Sequence, residues 1–147
     1  MEVTVPFTVK AAPPVRKVEV IEATGREGSE DVWRSRAMAA RPRLLLFDSP
    51  TSGLDPITAR TVDAEIIKLR DLEHVTSILV THQLEDAFYV AGHEAIRENG
   101  RLTIVPADQP TANDAEFLML KDGSIHFEGS AAELQASKDA YLKRFLA

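Results

Sequence analysis

Three positions in this chain have residue types and surroundings suited to chemistry: Asp48, Ser49 and His82. Asp48 closes the apolar run Leu44-Leu45-Leu46-Phe47. An acid at the carboxyl end of a buried strand stands where open α/β sheets bind ligands, and its oxygens suit a hard cation. Taken alone, it is equally an ordinary solvated acid at a strand end. His82 follows a second apolar run, Val75 to Val80, through Thr81. An imidazole there offers a directional hydrogen bond near neutral pH. Ser49 suits neither base nor nucleophile. A serine hydroxyl is a poor base, no His or Lys stands beside it, and no G-x-S-x-G surrounds it. His74, His93 and His126 lack metal-ligand spacing and read as surface or loop histidines.

Between the two runs lies Pro50-Thr51-Ser52-Gly53-Leu54-Asp55-Pro56, and Thr81-His82-Gln83 begins 26 residues after Asp55. This arrangement resembles the distal half of ABC-transporter ATPases, over roughly residues 30 to 147. The resemblance implies a Walker B strand, Leu44 to Asp48, with Asp48 as the Mg²⁺ ligand. It implies a D-loop in which Ser52, Gly53 and Asp55 serve the nucleotide site, Asp55 making a contact across the dimer. It makes His82 the switch histidine that hydrogen-bonds the γ-phosphate. That family carries a catalytic glutamate directly after the Walker B Asp, and this chain has Ser49 there.

Two further parts of the family pattern depart. The phosphate-cradling G-x-x-x-x-G-K-[ST] is absent. Counting back from Asp48 through Arg36 places Thr24-Gly25-Arg26-Glu27 at the family's Leu-Ser-Gly-Gly signature, and Glu27 with Glu30 would repel phosphate. The implied cofactors, ATP and Mg²⁺, are therefore expected to bind the isolated chain weakly or not at all. Hydrolysis is left open by the resemblance. Gln83-Leu84-Glu85-Asp86-Ala87-Phe88, the extra hairpin around Asn99-Gly100, the segment Glu116 to Gly123 and Phe127-Glu128-Gly129 look most like the ATPases of Mla-type phospholipid transport. That branch implies a homodimer driving a membrane permease with a lipid-binding MCE protein, placing the chain in the cytoplasm at the inner face of the membrane. A heterodimer with another ABC ATPase is equally compatible. The alternative is a non-hydrolysing regulatory or interaction module derived from the same fold.

Composition sets bounds on these readings. The 147 residues are one domain's worth, and we expect a single truncated ABC ATPase-like domain over 1–147. The net charge of −6 is uneven: residues 1–43 carry 8 basic and 6 acidic residues, leaving 9 basic and 17 acidic in 44–147. An acidic body argues against nucleic acid as the main partner. With no cysteine, disulfides and thiolate metal sites are excluded. No apolar run approaches the ~20 residues of a membrane span, and the start lacks a secretory apolar segment. The expectation is a soluble chain that meets a membrane only through a partner.

The elements that must position these residues follow from periodicity. Val3, Val5, Phe7 and Val9 alternate, as do Val18 and Val20 with Ile21, which predicts two short extended segments around Pro13-Pro14. Gly25 to Gly28 reads as a loop and Asp31 to Ala40 as a helix stopping before Pro42. Leu44 to Phe47 reads as a strand buried on both faces of a parallel sheet. Asp55 and Pro56 suit the N-cap and first turn of a helix, with Val62, Ile66, Ile67 and Leu69 repeating at helical spacing through Leu72. A strand over Val75–Val80 and a helix over Leu84–Ala91 complete the βαβα order. Asn99-Gly100 and Asp122-Gly123 predict hairpins joining Ala95–Arg97 to Leu102–Val105 and Phe117–Leu120 to Ile125–Phe127. Pro106 to Asp114 reads as a linker, and Ala131–Leu134 and Ala140–Leu146 as short helices. Gly123 and Gly129 read as turn positions needing positive φ.

The predicted fold is α/β: a P-loop-NTPase-like parallel sheet with C-terminal β-hairpins and short helices. Its expected core is Leu44, Leu45, Leu46, Phe47, Leu54, Val62, Ile66, Leu69, Ile78, Leu79, Val80, Phe88 and Leu120.

Overall fold

The computed structural model describes residues 5–9, 18–21, 39, 41–108 and 115–146. Of the helix expected over Asp31–Ala40 only Ala39 is described, and it is helical; the Gly25–Gly28 loop and most of the Pro106–Asp114 linker lie outside the described residues. The strands are β1 (Val5–Val9), β2 (Val18–Ile21), β3 (Leu44–Asp48), β4 (Thr76–Thr81), β5 (His93–Glu98), β6 (Arg101–Pro106), β7 (Ala115–Lys121) and β8 (Ser124–Gly129). The helices are α1 (Pro56–Leu72), α2 (Leu84–Gly92), α3 (Ala131–Ala136) and α4 (Ala140–Leu146).

Six strands form one sheet in the order β2-β3-β4-β1-β7-β8. β2, β3 and β4 are parallel, with Leu46 opposite Val20 and Ile78. The parallel β3–β4 pair needs a crossover connection, and α1 supplies it. β1 enters antiparallel between β4 and β7, placing Phe7 opposite both Leu79 and Phe117. The sheet is therefore mixed: a parallel core extended by antiparallel strands. Both hairpins form where expected. Asn99 and Gly100 (φ 50° and 78°), and Asp122 and Gly123 (φ 51° and 77°), take the left-handed conformations that two-residue hairpin turns require. β5 and β6 pair as a separate two-stranded sheet.

The strands alternate in burial. Leu45 and Phe47 of β3, Ser77, Leu79 and Thr81 of β4, and Ala115, Phe117 and Met119 of β7 are buried. They form one face with Val62, Ile66 and Leu69 of α1 and Leu84, Ala87 and Val90 of α2. Each large apolar side chain so covered contributes roughly 1.5–3 kcal/mol. This corrects the expectation of strands buried equally on both faces. Leu44, Leu46, Ile78 and Val80 occupy the opposite face and are only half-buried, as are Leu54 and Phe88. Leu120 is 36% exposed because alternation along β7 gives the buried face to Phe117 and Met119. Ile67, Leu134 and Leu142, outside the expected core, are fully or almost fully buried.

α1 begins as its sequence dictates. Asp55 accepts hydrogen bonds from the Ile57 and Thr58 amides, and Pro56 takes the first helical turn. At its end His74 adopts φ 52°, the left-handed step that turns the chain into β4. Arg70 then ties α1 to its neighbours: its guanidinium donates to the carbonyls of Val90 and His93, each at 2.6 Å. Asp71 accepts from Arg70 and from the Ala95 amide, so this pair seats the β5–β6 hairpin on α1. Gly129 departs from expectation. It needs no positive φ; a Cβ there would lie 2.8 Å from the Glu133 carboxylate and 3.0 Å from the Phe127 ring. Among the described residues, no helix is long and apolar enough to cross a membrane.

Candidate functional site

The carboxyl ends of β3 and β4 lie side by side, with Asp48 opposite Val80 in the parallel register. His82 is two residues beyond Val80, so the acid and the imidazole flank the same end of the sheet. Both are exposed. Open α/β sheets bind ligands at this end because the loops there are free of the strand ladder. Ser49 follows Asp48 and is tied to the end of β4. Its amide donates to the Val80 carbonyl at 2.7 Å, and its hydroxyl lies 3.4 Å from Oδ1 of Asp48. Facing a carboxylate, that hydroxyl is a donor, which leaves it unfit to take a proton from water. Its backbone has φ 47°, a left-handed conformation costly for a residue with a Cβ.

The following turn is compact. The Ser52 amide donates to the Ser49 carbonyl at 3.1 Å and the Leu54 amide to the Thr51 carbonyl at 3.2 Å. Gly53 takes φ 74°, which explains a glycine there. Ser52, Gly53 and Asp55 are exposed. Asp55 is also engaged within its own chain. Its Oδ1 accepts two backbone amides at 3.1 Å, and its Oδ2 accepts the Thr58 hydroxyl at 2.6 Å. The Thr58 hydrogen bonds, side chain first, hold this carboxyl below the usual Asp range.

Beneath the turn lies a buried polar cluster that the sequence reading missed. Thr51 is 1% exposed, and its Oγ1 lies 2.8 Å from Oε1 of Gln83 and 2.5 Å from Oδ2 of Asp86. One hydroxyl proton serves one acceptor. With Asp86 the closer, the Gln83 amide is placed to turn and donate to the hydroxyl instead. Arg60 holds Asp86 from the other side at 3.7 Å and Asp63 at 3.0 Å, while its guanidinium lies 4.2 Å above the Tyr89 ring. Asp63 is fully buried, and its Oδ1 has no hydrogen-bond partner among the described residues. Burial first, then the charge of Asp86, push this carboxyl up to about 7 against the pull of Arg60. Thr51, Leu54, Pro56, Ala59, Arg60, Gln83, Glu85 and Asp86 line a groove of about 330 Å³ over the cluster. A sequence signal for Asp63 existed: it falls three residues before Ile66 and four before Ile67, on the apolar side of α1.

His74 is exposed in the connection from α1 to β4 and His126 is exposed on its strand, as expected of surface or loop histidines, whereas His93 is half-buried. His93 opens β5, stacks on Tyr89 at 4.0 Å and lies with Nδ1 2.9 Å from the Tyr89 carbonyl. His126 lies within β8, 3.3 Å from Asp139 and edge-on to Tyr141. The segment Thr24–Glu27 lies outside the described residues. Among the described residues, no group of three His, Cys, Asp or Glu is set to hold a metal. A single exposed carboxylate such as Asp48 still fits Mg²⁺, which keeps most of its waters and takes one or two protein ligands.

No protein-family model matches the chain. It is 27% identical to the methionine import ATP-binding protein MetN 2 of Staphylococcus epidermidis over a 165-position alignment, covering 97% of this chain and 48% of that protein. It is 33% identical to the energy-coupling factor transporter ATP-binding protein EcfA2 of Latilactobacillus sakei over 84 residues, covering 57% of this chain and 29% of that one. It is 37% identical to the aliphatic sulfonates import ATP-binding protein SsuB of Burkholderia pseudomallei over 92 residues, covering 60% and 28%. The chain thus spans about half the length, or less, of the curated relatives it matches. Its homologues are ATP-binding subunits of ABC transporters, and the α/β fold agrees with part of an ABC ATPase domain at low sequence identity.

Proposed function

We propose that the chain acts as the distal half of an ATP-binding subunit of an ABC importer, working against a membrane permease at the cytoplasmic face. The observation that carries this reading is the pairing of β3 and β4, which sets Asp48 and His82 at one end of a parallel sheet. Asp48 would hold Mg²⁺, which neutralises phosphate charge when bound. His82 would donate to the terminal phosphate, and Ser52, Gly53 and Asp55 would face a second ATPase copy. All five are exposed, as those roles demand. For the cargo, the relatives' names carry methionine and aliphatic sulfonates. The phospholipid branch, with its MCE partner, rests only on the resemblance over Gln83–Phe88, the Asn99-Gly100 hairpin, Glu116–Gly123 and Phe127–Gly129. We therefore assign import without a cargo.

A second reading has its own support. The Ser49 hydroxyl faces Asp48 as a donor where a proton acceptor is needed, which favours a non-hydrolysing partner of a complete ATPase.

Titrating the chain with millimolar Mg²⁺·ATP while following backbone amide resonances tests the site. Shifts confined to Asp48–Asp55 and Thr81–Gln83 are expected. No response, or one centred elsewhere, would remove the nucleotide reading. Coexpression with the genes flanking its own, followed by purification in detergent, tests the partner: a polytopic membrane protein should be recovered with the chain.

A further inference from the structure

We propose that Thr51 is a positioning residue, whose buried hydroxyl latches the Ser49–Asp55 turn to the His82 turn so that the two loops open and close together. The inference deepens the nucleotide reading of this end of the sheet and rests on it. Among the described residues, the two turns are joined by few other bonds. Ser49 is fastened to Val80 of β4 through backbone, and Gln83 to Thr81 within its own turn. Beyond these, the Thr51 hydroxyl is the bond that spans from the 49–55 turn to both Gln83, next to His82, and Asp86, in the first turn of α2.

Burial makes the latch stiff. Thr51 is 1% and Asp86 7% exposed, so breaking their bond leaves a largely buried carboxylate oxygen short of its closest donor. Arg60 fixes Asp86 from the α1 side, and α1 is itself capped by Asp55 at the end of the same turn. The ring of contacts therefore runs Thr51, Asp86, Arg60, α1, Asp55 and back to Thr51. A ligand that moved the turn carrying Asp48 and Ser49 would meet resistance at His82, and the reverse.

Amide hydrogen exchange on the chain without nucleotide reads the latch directly. The Ser52 and Leu54 amides report the first turn, and the Gln83 and Ala87 amides the second. Thr51→Val keeps the shape and removes the hydroxyl. It should speed exchange of Gln83 and Ala87 roughly tenfold, while amides in β3 and β7 stay unchanged. Thr51→Ser should restore wild-type rates. Gln83→Met, at an exposed position, should speed Ser52 and Leu54 in turn, because coupling is reciprocal. If Thr51→Val does not fold, the Gln83→Met result decides alone. Unchanged rates in the distant turn, or a Thr51→Ser variant as fast as Thr51→Val, would overturn the latch. Mg²⁺·ATP added to the wild type separates the two readings: an intact latch with no nucleotide response removes the nucleotide site and leaves the coupling.

Discussion

Oγ1 of Thr51 lies 2.5 Å from Oδ2 of Asp86, side chain to side chain, although 35 residues separate them in the chain. The same acid is held at 3.7 Å by Arg60, which also binds Asp63 at 3.0 Å. Two buried carboxylates thus share one cation and one hydroxyl. Within this cluster two acids face one guanidinium, and Asp63 carries the cost.

That cost has a pH signature. Burial and the charge of Asp86 raise the Asp63 carboxyl from 3.8 to about 7. Between those values the folded chain binds more protons than the unfolded one, so stability falls as pH rises. The contribution is whole below about pH 3.8 and lost as pH passes through about 7. Thermal unfolding from pH 5 to 8 should show a falling midpoint for the wild type and a flatter profile for Asp63→Asn. Asp55, Glu133 and Asp139 have carboxyls held below their ordinary range, so they have finished titrating before this window opens. An equal slope in both proteins would assign the pH dependence elsewhere.

Arg70 offers a test of the hairpin's seat. Its guanidinium reaches the Val90 and His93 carbonyls and the Asp71 carboxylate together, and its side chain is 9% exposed. Lysine carries the charge but lacks the planar fork. Arg70→Lys should cost about 1–3 kcal/mol in denaturant unfolding, with the amides of β5 losing exchange protection before those of β3. A stability within error of the wild type would show that the hairpin is held by other contacts.

The legible parts of this molecule are those whose signals are local. Leu44 to Asp48 and Asp55-Pro56 announce their elements by period and capping chemistry, and Asn99-Gly100 and Asp122-Gly123 do so by left-handed turn residues. The insertion of β1 between β4 and β7 is a pairing between distant segments, and nothing in Val5 to Val9 names its neighbours. An acid on a helix is ordinarily a solvated residue, so Asp63 and Asp86 are marked as inward only by their three- and four-residue spacing to Ile66, Ile67 and Val90. Gly129 is illegible in the same way, because a glycine approached closely by neighbouring side chains looks the same in sequence as one required by φ. The cargo branch is illegible for a different reason: the roles proposed for Asp48, Asp55 and His82 concern the nucleotide, and relatives named for unlike cargo are matched alike.

Nucleotide affinity should be low. The chain contains no P-loop, so the triphosphate lacks that backbone nest, its lysine and the hydroxyl contact to Mg²⁺. Charge-assisted hydrogen bonds contribute roughly 1.5–3 kcal/mol each, and the loss of several weakens binding by orders of magnitude. Calorimetry should detect no Mg²⁺·ATP binding at micromolar concentrations. A micromolar dissociation constant would reveal a phosphate site supplied by other residues.

Ser49 should respond to substitution in stability and not in turnover. At φ 47° a Cβ is strained, and glycine removes that strain at some cost in unfolded-chain entropy. Ser49→Gly should therefore raise the unfolding free energy by about 0.5–1 kcal/mol, even though the contact with Asp48 is lost. Ser49→Glu restores the family's carboxylate but keeps the strained backbone and supplies no phosphate cradle. Orienting water and positioning phosphates are separate steps, and repairing one leaves the other missing. Phosphate release by the Ser49→Glu chain should stay at the wild-type level, measured at millimolar Mg²⁺·ATP. A large gain from this single change would mean that Asp48, His82 and their neighbours already hold the triphosphate in a reactive pose.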